Sequence, residues 1–401
     1  MDAKTMASLP GRDARPVTPT WRDRWLALRD RLLASPTFQR RSARIPLVRR
    51  IARRRAAQVF DLVAGFAYSQ VLVACVRLDL FTKLAHGPQP LDVLSARLGL
   101  EPAAAERLLA AAVALRLVER RSNDRFGLGM LGAPLVGNAG VAAMVEHHAL
   151  LYADLADPVA LLRGTSTSSR LAGYWPYAGA SDPNAVTPEQ AASYSALMAA
   201  SQPLVAGEIL DAVDFARHRC LLDIGGGDGS FLVAAASRAS SLRLMLFDLP
   251  AVAERAARRL AEAGLQSRAT TVGGNFVADP LPSGADIATL IRVLHDHDDA
   301  RVATVLRSVH RALVEGGTLV IAEPMAETPG AESMGDAYFG FYLLAMGRGR
   351  PRSSTRLIEM LRDAGFIGVR RIATAQPLQT QLLMARKPMR ENPAHSGVKP
   401  D

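Results

Sequence analysis

The stretch Leu221-Leu222-Asp223-Ile224-Gly225-Gly226-Gly227-Asp228-Gly229 decides the fold, because an apolar run breaks into a glycine turn and a helical pattern, Ser230 to Arg238, follows at once. The run reads as a buried strand opening a strand–turn–helix unit. A second apolar run, Leu244-Met245-Leu246-Phe247, ends in the carboxylate of Asp248, ahead of Leu249 and Pro250. That acid stands about twenty residues beyond the turn, where a nucleotide fold offers an acceptor to ribose hydroxyls. Glycines 225, 227 and 229 form G-x-G-x-G rather than the dinucleotide G-x-G-x-x-G. Residues without Cβ let the backbone pass close to a ligand, and the helix N-terminus behind them favours an anionic group. A ribose to bind the acid and a carboxylate to bind the amides suit S-adenosylmethionine.

Outward from this unit, strand and helix patterns alternate. Residues 220–224, 242–247, 269–272, 287–291 and 318–321 read as strands with helices between them, which predicts a doubly wound, mostly parallel α/β sheet. A helix over 357–364 and strands over 369–374 and 381–386 would close it with an antiparallel edge pair. Residues 388–401 read as a disordered tail.

Upstream, residues 59–84 read as one long apolar helix stopped by Gly87-Pro88. Asp61 and Gln70 within it favour a buried or interfacial helix over a membrane span. Two short helices over 91–100 and 102–115, then a hairpin over 117–128, form a winged-helix-like pattern. The second helix has a single basic residue, Arg107, so packing or dimerisation suits it better than reading a base edge. Residues 138–180 read as helical and then irregular, and a helix over 188–211 leads into the nucleotide domain. The expected domains are therefore 1–58, a basic and partly disordered arm; 59–187, a helical dimerisation domain; and 188–387, a cofactor-binding domain.

Charge is concentrated at one end. Residues 1–58 contain fifteen basic residues against four acids, a net of +11, which leaves −1 for the rest of a chain whose total is +10. Trp21, Trp25, Leu26, Leu28, Leu32 and Leu33 recur near helical spacing amid the arginines. Such a segment suits an anionic membrane surface or a solvated arm packed on a partner subunit. Nucleic acid is not expected, since no base-reading motif accompanies the charge. The amino terminus lacks the apolar core of a secretory signal. Cys75 and Cys220 both lie in apolar segments, which argues against a disulfide framework and for a cytoplasmic setting.

Candidate chemistry gathers at expected strand ends. His295, in Arg292-Val293-Leu294-His295-Asp296-His297-Asp298-Asp299, follows the fourth strand, at the edge where open sheets bind ligands. A histidine there can take the proton of an attacking hydroxyl. The competing reading makes Asp296, Asp298 and Asp299 a helix cap and the histidines incidental; His297 is read as structural. Glu323 ends the next strand, where it can orient the imidazole or simply face solvent. In Gly273-Gly274-Asn275-Phe276, Asn275 can accept from an adenine amine, while Phe276 covers a ring or fills the core. Glu146-His147-His148 has no further ligand at metal spacing, and adjacent histidines leave a helix in different directions; packing or pocket lining is expected and no metal. Tyr174-Trp175-Pro176-Tyr177 is a lid or an inter-domain contact.

Together, Leu-Asp-Ile-Gly-Gly-Gly-Asp-Gly, Phe-Asp-Leu-Pro, Gly-Gly-Asn-Phe, Arg-Val-Leu-His-Asp-His-Asp-Asp and Ala364-Gly365-Phe366 resemble the caffeate/acetylserotonin type of S-adenosylmethionine-dependent O-methyltransferase across residues 60–386. The resemblance implies a homodimer whose amino-terminal domain closes the partner's pocket. It places Gly225, Gly227, Asp248, Leu249, Asn275, Phe276 and Arg292 at the cofactor and makes His295 the proton acceptor. Three positions depart from the pattern. Asn275 stands for the usual Asp, His297 for the usual Trp, and Pro351 for the Glu of a Glu-Arg-Thr motif. With that Glu missing, support for His295 falls to Glu323 or Asp296. The basic arm, Glu-His-His, Tyr-Trp-Pro-Tyr and Gly-Arg-Pro-Arg are most similar to the carotenoid branch of purple phototrophic bacteria. Those enzymes methylate the C-1 tertiary hydroxyl of acyclic carotenoids such as demethylspheroidene or hydroxyneurosporene. Such an acceptor would explain peripheral contact with the photosynthetic membrane. An aromatic or polyketide hydroxyl is the alternative acceptor, and a winged-helix DNA-binding regulator the alternative class.

Overall fold

A computed structural model describes residues 20–42, 44–165, 169–174, 188–376 and 380–390, with backbone alone for Leu47 and residues 188–196. The chain divides into two compact units, Met1–Ala74 and Cys75–Asp401.

The first unit holds α1 (Trp21–Ala34), α2 (Pro36–Ser42) and most of α3 (Pro46–Arg77). The described part of the basic arm is helical from Trp21 onward, as the spacing of its tryptophans and leucines suggests. One expectation is corrected here: the long helix starts at Pro46, not Val59, and ends at Arg77, not Leu84. Arginine and alanine are good helix formers, so the arginine-rich run 49–55 extends the helix without showing the apolar period that announces one. Proline at the first helical position favours that start. Asp79 breaks the far end with a left-handed φ of 55°. On α3, Val59, Phe60, Leu62, Val63 and Phe66 are exposed in the single chain rather than buried. Residues Val48–Arg77 are long and apolar enough to cross a membrane.

The second unit opens with α4 (Leu80–Ala85), β1 (Gln89–Pro90), α5 (Leu91–Leu98), α6 (Pro102–Ala114), β2 (Val118–Arg121) and β3 (Arg125–Leu128). The three strands pair antiparallel in the order β1-β3-β2. Next come α7 (Ala139–Asp154), α8 (Pro158–Leu162), α9 (Arg170–Tyr174) and α10 (Pro188–Ala212). Of the aromatic cluster at 174–177, only Tyr174 lies within the described residues.

The remainder is a seven-stranded sheet: β4 (Cys220–Ile224), α11 (Ser230–Arg238), β5 (Arg243–Asp248), α12 (Pro250–Glu262), β6 (Ala269–Gly273), β7 (Ala285–Ile291), α13 (Asp299–Ala312), β8 (Leu313–Glu323), α14 (Phe339–Met346), α15 (Ser354–Asp363), β9 (Ile367–Ile372) and β10 (Gln381–Arg386). Strand order is β6-β5-β4-β7-β8-β10-β9, parallel except where β10 runs antiparallel to both neighbours. This is the doubly wound sheet with the reversed strand near its edge that the pattern predicts.

The pleat sends alternate residues to two cores. Leu222 and Ile224 of β4 join Leu319 and Ile321 of β8 on one face, whereas Leu221 joins Val320 and Ala322 on the other. Each fully buried leucine or isoleucine contributes about 1.5–3 kcal/mol, which fixes β4 and β7 at the centre. Strand order reverses between those two strands, and in such sheets the crevice beyond their carboxyl ends takes the ligand.

Candidate active site

Two loops meet at that crevice. The loop after β4 has left-handed φ at Gly225 (67°) and Gly227 (60°), and the Gly225 amide donates to the Phe247 carbonyl at 2.8 Å. A Cβ at Gly225 would lie 2.8 Å from the Val293 side chain, so glycine lets the β4 and β7 loops close together. At Gly227 a Cβ would meet nothing within 4 Å, so that side of the turn is open to a ligand.

Asp248, at the end of β5, accepts from the Gly227 amide at 2.8 Å and the Leu249 amide at 2.7 Å. Burial pushes its carboxyl up to about 6 against the pull of these two amides. A carboxylate oxygen can accept more than one hydrogen bond, so capacity for ribose hydroxyls remains. An open glycine turn beside a doubly anchored acid fits S-adenosylmethionine.

The β6 loop carries two more of the expected contacts. The Asn275 side-chain oxygen accepts from the Val277 amide at 3.0 Å, forming a local turn. Phe276 packs against the core and meets the His297 ring edge-on at 5.4 Å. Arg292 takes a left-handed φ of 55°, and its fork donates to Ser201 Oγ and Gln202 Oε1 at 2.8 Å each, both on α10.

His295 lies in a 3-10 turn, Leu294–Asp296, and is buried. Its Nδ1 pairs with Glu323 Oε2, while Glu323 Oε1 accepts from the Val293 and Leu294 amides at 2.9 and 2.7 Å. One carboxylate thus fixes both the ring and its turn. Asp296 Oδ1 lies 3.2 Å from His295 Nε2 without hydrogen-bond geometry. Burial alone would lower the imidazole, but Asp296 and Glu323 together outweigh it and hold His295 up to about 9. Burial also raises Asp296, to about 6.

Of the three candidate capping acids, only Asp298 caps α13, accepting from the Arg301 amide at 2.8 Å. Asp299 instead receives Arg350 at 2.6 Å, Arg352 at 2.8 Å and Arg356 at 3.2 Å. His297 is held down to about 4, chiefly by burial.

Sequence reasoning missed this arginine clasp. Arg352 is 4% exposed, and its fork also donates to the Leu294 carbonyl at 2.8 Å and the His297 carbonyl at 2.6 Å, one on each side of His295. The Arg350 amide donates to the His295 carbonyl at 2.9 Å. The signal was Arg350-Pro351-Arg352 facing the acids at 296–299, although nothing in the spacing of two distant segments says that they touch. Also missed is Asp223 on β4, which accepts from Thr289 Oγ1 at 2.6 Å and is pushed up to about 7 by burial.

On α7, His147 and His148 reach two different tyrosines of one downstream stretch. His147 Nε2 bonds the Tyr342 hydroxyl, and His148 Nε2 the Tyr338 hydroxyl, each at 2.7 Å. The ring of Phe339, between those tyrosines, stands edge-on to His295 at 5.9 Å.

The chain is similar to known proteins over most of its length. An O-methyltransferase dimerisation domain matches residues 60–143 and an O-methyltransferase domain residues 152–367. Demethylspheroidene O-methyltransferase of Cereibacter sphaeroides is 44% identical over 358 residues, covering 89% of this chain and 94% of that protein. The Rhodobacter capsulatus enzyme of the same name is 41% identical, covering 86% and 85%. The structure of human N-acetylserotonin methyltransferase in complex with S-adenosylmethionine superposes with a TM-score of 0.67 at 22% identity, over 83% of this chain and 98% of that one. With the sheet, the open glycine turn and the ring-holding carboxylate in place, the chain belongs to the S-adenosylmethionine-dependent O-methyltransferases that carry an amino-terminal dimerisation domain.

Proposed function

We propose that the acceptor is the C-1 tertiary hydroxyl of an acyclic hydroxycarotenoid and that His295 is the general base. The substrate reading rests on the two demethylspheroidene O-methyltransferases, each similar over most of its length. The base reading rests on the Glu323–His295 pair at the reversal of strand order.

When bound, S-adenosylmethionine supplies a methyl group on a positively charged sulfur. Asp248 and the open side of the glycine turn at Gly227 would hold it, with Leu249, Asn275, Phe276 and Arg292 around it. Glu323 keeps the Nδ1 proton of His295 in place, which directs Nε2 to the acceptor. A tertiary alcohol is a very weak acid, so its proton must leave as the new C–O bond forms, and Nε2 receives it. In the resting site the neighbouring carboxylates keep His295 protonated, so it sheds a proton before each turnover. Asp296, facing Nε2, is the nearest group able to accept it.

A homodimer accords with the dimerisation domain, whose first residues include the exposed Phe60, Leu62, Val63 and Phe66 of α3. The second copy covers that apolar face. An acceptor dissolved in a membrane also fits a peripheral location on the photosynthetic membrane rather than free solution. Incubation of the purified protein with labelled cofactor and either hydroxyneurosporene, demethylspheroidene or simple phenols tests the substrate. Methylation of phenols but not of carotenoids would move the assignment to the aromatic acceptors.

A further inference from the structure

The face of α1 has a design that neither the fold nor the active site uses. At about 100° per residue, Trp21, Trp25, Leu28 and Leu32 fall within an arc of about 60°. They are 82%, 58%, 56% and 43% exposed. On the same wheel Arg22 and Arg29 flank this stripe on one side, and Arg24 and Arg31 on the other, each about 70–90° from its centre. All four arginines are exposed. The two acids of the helix, Asp23 and Asp30, lie opposite the stripe. Both are occupied: Asp23 closes the capping box with Thr20, and Asp30 pairs with Arg29 at 2.7 Å.

We infer that this face docks on an anionic lipid surface, with the tryptophans and leucines entering the headgroup region and the arginines reaching phosphates on either side. Four large apolar residues without charge along their line are unfavourable in water. Tryptophan is enriched at the water–hydrocarbon boundary. Arginine at the borders of an apolar stripe buries its stem and leaves its guanidinium among phosphates. A second copy of this chain fits poorly, because pairing two such faces brings two sets of four arginines together. The cationic run continues through Arg40 and Arg41 of α2 and Arg49, Arg50, Arg53, Arg54 and Arg55 of α3, which adds long-range attraction of the same sign. The inference deepens the proposed membrane location by naming the surface that makes contact, and rests on it only for its biological purpose.

The test uses the full chain with vesicles of phosphatidylcholine containing about 30% phosphatidylglycerol, and no acceptor or cofactor, so a wrong substrate assignment cannot affect it. Two of the three tryptophans in the chain lie on the stripe, so their emission should shift to the blue on binding. Binding should weaken by roughly tenfold or more when the four arginines are replaced by glutamine, when vesicles are pure phosphatidylcholine, or when salt screens the attraction over a Debye length of about 8 Å. The W25S/L28S variant should lose vesicle binding by a similar factor while keeping its helix content and its elution volume in sizing chromatography. Equal binding of wild type and both variants would overturn the inference. So would a shift of the W25S/L28S variant to monomer in sizing chromatography with vesicle affinity unchanged, which would make the face a contact between copies. Binding to duplex DNA as tight as to the anionic vesicles, and lost in the same variants, would overturn it too.

Discussion

His295 stands between two carboxylates, and the pH dependence of the enzyme follows from their charge. A group held up to about 9 is protonated at neutral pH, and each unit below that value costs tenfold in free base. kcat/KM should therefore rise about tenfold per pH unit through the neutral range and level off near 9. Asp296→Asn removes one of the two charges and should move the inflection lower, visible in a pH–rate profile; an unmoved inflection would clear Asp296 of holding the proton. His295→Gln should lower kcat by about 10²–10⁴, the usual contribution of a positioned base, with cofactor affinity nearly intact by calorimetry. Retention of more than half the wild-type rate would make the histidine structural. Asp248→Ala strips a charged acceptor from the cofactor site, and the loss in binding should be about 1.5–3 kcal/mol. Unchanged affinity in a folded variant would remove Asp248 from the ribose.

The turn carrying His295 owes its shape to other elements, so its rigidity is a property of packing between them. Glu323 of β8 takes its amides, and Arg352, just ahead of α15, takes its carbonyls. Gly349 completes the contact: its φ is 81°, and a Cβ there would lie 2.2 Å from the His295 carbonyl oxygen. Arg352→Met leaves the Leu294 and His297 carbonyls without that donor and takes one of three arginines from Asp299. At about 1–3 kcal/mol for each buried group left unsatisfied, the variant should melt several degrees lower, and kcat should fall more than KM because the base loses its place. Arg356→Gln touches the same Asp299 from an exposed position and should change neither by much. A melting curve and a kcat–KM comparison on the two variants check this; equal effects would mean that the clasp acts through charge alone.

Across the whole molecule, the helical arm changes where the chain can be cut. Deletion to residue 58 would sever α3, which begins at Pro46. Deletion of residues 1–45 removes α1 and α2 and spares it, so the truncated protein should fold, remain dimeric and lose vesicle binding. The exposed face of α3 makes a separate expectation. Leu62→Asp with Phe66→Asp places two charges on the surface assigned to the second copy, and sizing chromatography should show monomer. A dimer that survives these charges would place the interface elsewhere.

The chain by itself determined those features that depend on short-range pattern. Gly225 to Gly229 after the run Leu221-Leu222-Asp223-Ile224, Asp248 at the end of the next apolar run, and His295 and Glu323 at later strand ends were readable because strand, turn and helix each have a local period. Their alternation also announces a parallel, doubly wound sheet. Tertiary structure alone decided what depends on residues far apart in sequence. Arg352 meets the turn of His295 across more than fifty residues, and Tyr338 and Tyr342 meet His148 and His147 across nearly two hundred. The start of α3 was hidden for a different reason. Its arginines favour a helix but show no apolar period, and an apolar side exposed in the single chain is not distinguished from a core by composition. Local pattern specifies elements, whereas the partner of a buried charge is chosen by how those elements pack.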